Sequence, residues 1–191
     1  MKLVRTVLAV SGLLTFTTAA TVACATAAIV TFATTAQAAN DAADVAREMK
    51  LPVAVVDTVI RTVDGFYASA DAPANRLTSG IMKDLALKAV KSRLGTMEDS
   101  QPGKSSENTA EERSAVYKAQ VKTTRHETSE TGECVDNTVT LTASEALPVV
   151  KDGQFGFDSA RPKVSSFAWK ITFCRTPING GSDYSDWQLG K

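Results

Sequence analysis

The hydrophobic period of this chain changes once, and that change limits the folds open to it. Up to Leu94, apolar residues recur every three or four positions; from Ser114 onward they alternate. Helices first and alternating strands after sort the chain into the α+β class, with N-terminal helices packed on a C-terminal antiparallel β-meander. About four strands are expected, in a single domain over 39–191.

The helical half covers about 41–95. Asp41 to Lys50 is Ala-rich, with Asp41 and Asp44 at the end where a helix dipole favours acids. Leu51-Pro52 breaks the chain and restarts it, because proline suits a first helical turn. Val53, Val56, Val59, Ile60, Val63, Phe66 and Tyr67 then form a wide apolar stripe, with Asp57, Arg61 and Asp64 opposite. After a turn at Asp71-Ala72-Pro73-Ala74-Asn75, a third helix runs from about Thr78 to Leu94. Met82, Leu85, Ala86, Ala89, Val90 and Leu94 make its face; Lys88, Lys91 and Arg93 gather at its C-terminal end, and Gly95 stops it.

Residues 96–113 are polar and charged around Pro102-Gly103, and read as a flexible loop. The strand half, 114–191, opens with Ala115, Tyr117, Ala119 and Val121 alternating with polar neighbours. Val135, Val139 and Leu141 repeat the pattern after a turn near Ser129 to Gly132, which makes a long hairpin. Pro148 and Asp152-Gly153 mark a third, irregular piece. Phe167, Trp169, Ile171 and Phe173 form the strongest strand, with its aromatic face toward the helices. Gly180-Gly181 turns the chain back into a closing strand with Tyr184, Trp187 and Leu189.

The start of the chain stands apart from this body. No charge occurs between Arg5 and Asp41. Lys2 and Arg5 make a positive head, Val7 to Leu14 an apolar run, and Ala36-Gln37-Ala38 a small-residue end. The three together read as a secretory signal peptide over 1–38, cut after Ala38. Two alternatives stay open: an uncut N-terminal anchor, since about 20 apolar residues span a bilayer, and lipidation at Cys24. Eight threonines from Thr15 to Thr35 dilute the stretch as an anchor, and Thr21 stands where a lipoprotein signal favours leucine. Under each reading the body lies outside the cytoplasm, periplasmic or secreted.

Removal of the signal leaves 19 basic against 21 acidic residues, a net charge near −2. The scattered basic residues make no footprint for nucleic acid, and a membrane is reached only through an uncut N-terminal segment. Cys134 and Cys174 are then the remaining cysteines, an even pair in an oxidising compartment and too far apart for a redox Cys-x-x-Cys. One structural disulfide is expected. On the chain-entropy model its loop of about 40 residues is worth on the order of 4 kcal/mol.

A family resemblance follows from Val63-Asp64-Gly65-Phe66-Tyr67-Ala68-Ser69-Ala70-Asp71, the helix to Leu94, and four strands ending in Trp187-Gln188-Leu189. This order resembles the cone-shaped nuclear-transport-factor-two-like fold, whose small exported bacterial members often carry Phe-Tyr on the first long helix and a Gly…Trp-x-Leu closing hairpin. The resemblance implies a pocket between helices and curved sheet. It carries over no catalytic residue, and the long polar segment and the cysteine pair depart from the family pattern.

Chemistry-bearing motifs are sparse. The single histidine, His126, leaves no multi-His or Cys/His zinc set, so no metal or cofactor is expected. Nucleophile-elbow, phosphate-loop, dinucleotide and calcium-loop patterns are absent from the sequence. His126 with Glu127, Glu130 and Glu133 is a candidate general-base cluster, set against a solvated hairpin tip. Asp57 and Asp64 are a candidate carboxylate pair, set against pairing with Arg61 or water. Trp169 and Trp187 with Phe155, Phe157, Phe167 and Phe173 are candidate pocket walls, set against ordinary core packing on one buried face. Two functions fit: a non-enzymatic exported binding or assembly module, meeting an envelope protein or a small apolar ligand, and a small hydrolase-like enzyme without a recognisable motif.

Overall fold

The computed structural model describes residues 41–68, 76–112, 114–178 and 183–190. The signal segment with its cleavage site and Cys24, the turn at 71–75 and the Gly180-Gly181 turn lie outside the described residues. The chain divides after Asp44. Of the first unit only 41–44 are described, in helical conformation; Val45–Lys191 forms the second.

Helix α1 covers 41–49. Lys50 ends it in the left-handed region, φ 55°, and the Leu51 amide donates back to the Ala46 carbonyl at 3.0 Å, a Schellman-type stop. Helix α2, Val53–Tyr67, starts behind Pro52, whose carbonyl accepts from Val55 and Val56. Val55, Val56, Val59 and Val63 are buried on it, while Val53 is exposed, so the stripe begins one turn later than periodicity suggests. Helix α3, Arg76–Leu94, packs against α2 on one side and against β1 and β2 on another. Burial on two sides explains why Leu87 is buried along with Met82, Leu85, Ala86, Ala89 and Val90.

The sheet is a meander of five antiparallel strands: β1 Ser105–Glu112, β2 Ala115–Ser129, β3 Gly132–Lys151, β4 Gln154–Arg175 and β5 Gln188–Leu189. The expected order of helices and then antiparallel strands holds. The expected loop over 96–113 does not. Met97–Asp99 is a short 3-10 helix with Met97 fully buried, and β1 pairs with β2 from Ser105↔Lys122 to Glu112↔Ala115. An edge strand needs only hydrogen bonds to its one neighbour, so its polar sequence leaves no apolar alternation to read.

Tyr117, Ala119, Val121, Val135, Val139, Leu141, Ala143, Ile171 and Phe173 make the buried face of the sheet. Phe167 stacks on Phe66 of α2, ring centres 4.4 Å apart, so the aromatic face of β4 does meet the helices. Arg93, one of the cations expected at the end of α3, is buried. It turns inward at the end of α3 and donates to Thr123 Oγ1, Ser100 Oγ and Thr96 Oγ1. Burial lowers its pKa. The negative end of α3 and the hydroxyl cage compensate the charge.

The irregular piece expected around Pro148 is instead the tip of the β3–β4 hairpin. Pairing shifts between Glu145↔Lys163 and Leu147↔Asp158, where β4 bulges outward through Ser159, Ala160, Arg161 and Pro162. Beyond the bulge the two strands run on to Lys151↔Gln154. Asp152 and Gly153, φ 53° and 75°, close them in a two-residue turn of the type that asparagine or aspartate with glycine favours. β2 begins at Ala115↔Glu145, so this outer arm is two-stranded.

Candidate functional site

The arm has two faces. Register puts Pro148 opposite Phe157 and Val150 opposite Phe155, and these four share one face because side chains alternate along each strand. Val150 is 73% exposed, Phe155 69% and Phe157 53%. The two phenyl rings meet edge to face at 5.3 Å. The other face carries Leu147, Val149, Lys151, Gln154 and Asp158. At the arm's root, Phe157, Pro162, Val116, Ser144 and Glu112 line an open groove of about 260 Å³. The candidate pocket walls therefore separate. Phe173 is core and Phe167 and Trp169 stack under α2, but Phe155 and Phe157 stand in solvent. Alternation assigns a face; it does not supply a layer to cover it.

Carboxylates and cations meet at the opposite end of the sheet. A register shift at Thr124, between the pairs Thr123↔Asn137 and Arg125↔Asp136, turns His126 onto the buried face opposite Val135. There His126 Nε2 lies 2.5 Å from Glu133 Oε1, and Arg175 Nε donates to Glu133 Oε2 at 2.6 Å. The Glu133 side chain is 8% exposed and that of His126 25%. The Arg175 guanidinium sits 4.5 Å from the Tyr184 ring centre and 4.6 Å from that of Trp187, with Glu98 Oε1 3.5 Å away.

Of the candidate general-base cluster, then, His126 and Glu133 come together. Glu127 pairs with Arg125 on the other face, and Glu130 is at the exposed turn. The solvated hairpin-tip reading of His126 is overturned by its bond to a buried carboxylate. Arg175 is the residue the sequence reading missed. A carboxylate holding one nitrogen of an imidazole is a geometry that general-base catalysis uses. Here both oxygens of that carboxylate are bonded, and the arginine clamps residues 183–190 to the sheet through two rings.

The carboxylate pair does not form. Asp57 binds Arg61 at 2.8 Å, one turn along α2, and Asp64 binds Lys83 of α3 at 2.8 Å. Cys134 and Cys174 are bonded. Among the described residues there is no cluster of three metal-ligating side chains, and no helix is long and apolar enough to cross a membrane. Compared with protein-family models, curated proteins and solved structures, the chain matches none.

Proposed function

We propose that this chain is an exported, non-enzymatic binding or assembly module, and that the β3–β4 arm is its contact element. The observation that carries the reading is the row of exposed Val150, Phe155 and Phe157 on a two-stranded arm. A contiguous apolar patch held clear of the core favours contact with another surface over solvent, and a tight Asp152-Gly153 turn presents it in one conformation. The disulfide supports export, since such bonds persist in oxidising compartments. The cleaved signal over 1–38 and the nuclear-transport-factor-two-like resemblance belong to the same reading.

One observation favours the hydrolase-like alternative: His126 oriented by Glu133. Complementation of a deletion strain separates the two. Phe155→Ser with Phe157→Ser should leave a folded, secreted protein that fails to restore the deletion phenotype, whereas His126→Gln should restore it wherever the variant stays folded. A folded His126→Gln variant without function, beside a functional arm variant, would overturn the proposal in favour of the enzyme.

A further inference from the structure

The meander leaves two edges open, and they carry opposite charge. On β1, the side away from β2 has no strand partner among the described residues. Its residues Ser105–Glu112 include Glu107, Glu111 and Glu112 and no base. On β4, β5 covers Phe173 and Cys174 and the Gly190 amide takes the Thr172 carbonyl, so the outer backbone groups from Gln154 to Ile171 have no strand partner among the described residues. From Arg161 to Thr172 that strand carries Arg161, Lys163 and Lys170, no acid, and no proline after Pro162. Unpaired N–H and C=O rows are templates for another strand.

Charge decides which strand. Two β4 edges side by side set two basic strands together, and two β1 edges two acidic ones, and both repel. A β1 edge beside a β4 edge brings opposite signs together over similar lengths. We infer that a second copy of this chain adds its β1 strand to the Lys163–Lys170 edge of β4, giving head-to-tail assembly. Such a contact is heterologous: each copy keeps one free edge of each kind, so growth continues into a filament or closes into a ring. The inference rests on the assembly reading above and adds to the arm a second contact, with another copy of the chain.

Sedimentation velocity of the purified protein across a wide concentration range tests it. Wild type should form species beyond the dimer that dissolve as salt rises, because the attraction is screened. Glu111→Lys with Glu112→Lys, and separately Lys163→Glu with Lys170→Glu, should each be monomeric. Each of these variants carries two edges of the same net sign. Their equimolar mixture should assemble again, since both contacts regain opposite charge. A wild type that stays monomeric, stops at a two-fold dimer, or assembles unchanged in either reversed variant would overturn head-to-tail pairing. A monomeric wild type whose Phe155→Ser, Phe157→Ser variant still loses the deletion-strain function would sink this inference and leave the arm reading standing.

Discussion

Cys134 and Cys174 are direct cross-strand partners in β3 and β4, 4.2 Å apart at Cα and 40 residues apart in sequence. The bond therefore fixes register at the base of the longest hairpin. Gly190 crosses over it: a Cβ there would lie 3.2 Å from Cys174 Sγ and 3.0 Å from Thr172 Cγ2. Opening the loop of that length returns chain entropy to the unfolded state, on the order of 4 kcal/mol. Cys134→Ser with Cys174→Ser should lower the thermal midpoint clearly under oxidising conditions. Reduction of the wild type should lower it as well.

Glu133 is the keystone of the C-terminal clamp. Glu133→Gln removes the negative charge between Arg175 and His126, and breaking a largely buried pair costs about 3 kcal/mol. Urea unfolding should show that loss. Hydrogen exchange should show residues 183–190 opening first, because Arg175 holds Tyr184 and Trp187. His126→Ala should cost less, about 1.5 kcal/mol, the scale of one hydrogen bond to a charge.

Tyr67 offers a pH test. Burial, with Tyr117 and Glu145 adding to it, raises its pKa from 10.0 to about 12, and the hydroxyl has no bonding partner. The unfolded chain releases this proton near pH 10 and the folded chain near pH 12, so between them the native state binds more protons. Stability should fall as pH rises through that window. Tyr67→Phe should flatten that limb in urea titrations. It should be neutral or stabilising at pH 7, because the change removes a buried unbonded hydroxyl.

Gly132 faces the clamp from the β2–β3 turn. A Cβ there would lie 2.6 Å from the Arg175 carbonyl oxygen, closer than a carbon tolerates without movement of the β4 backbone. Gly132→Ala should therefore be destabilising and should loosen residues 183–190, measured by hydrogen exchange. Gly156→Ala has nothing within 4 Å of its Cβ and should be mild.

The sequence carries the elements better than their surroundings. The valine stripe of α2 and the alternations of β2, β3 and β4 are legible because each buries one face against a layer the same chain supplies. β1 was illegible, since it is held by backbone pairing with β2 and by polar side-chain contacts such as Glu107 with Lys118, which leave no apolar alternation. Phe155 and Phe157 have the pattern of core residues and lie on an arm that no described layer covers. The clamp was half legible. The β2–β3 turn brings His126 near Glu133, but Arg175 comes from the far strand. One signal would have found it: once Cys134 is opposite Cys174 in an antiparallel pair, Glu133 must fall opposite Arg175. The register shift at Thr124 that brings His126 inward has no such signal.

The central claim is that the aromatic face of the arm is covered by another surface where the protein works. Hydroxyl-radical footprinting reads this directly at Phe155 and Phe157, in the purified dilute protein and in the intact producing cell. The account predicts strong oxidation of both rings in dilute solution, as their exposure requires, and protection of both in the cell, with half-buried Tyr184 at the other end of the sheet as a control labelled alike in each. Equal oxidation of Phe155 and Phe157 in the two settings would contradict it.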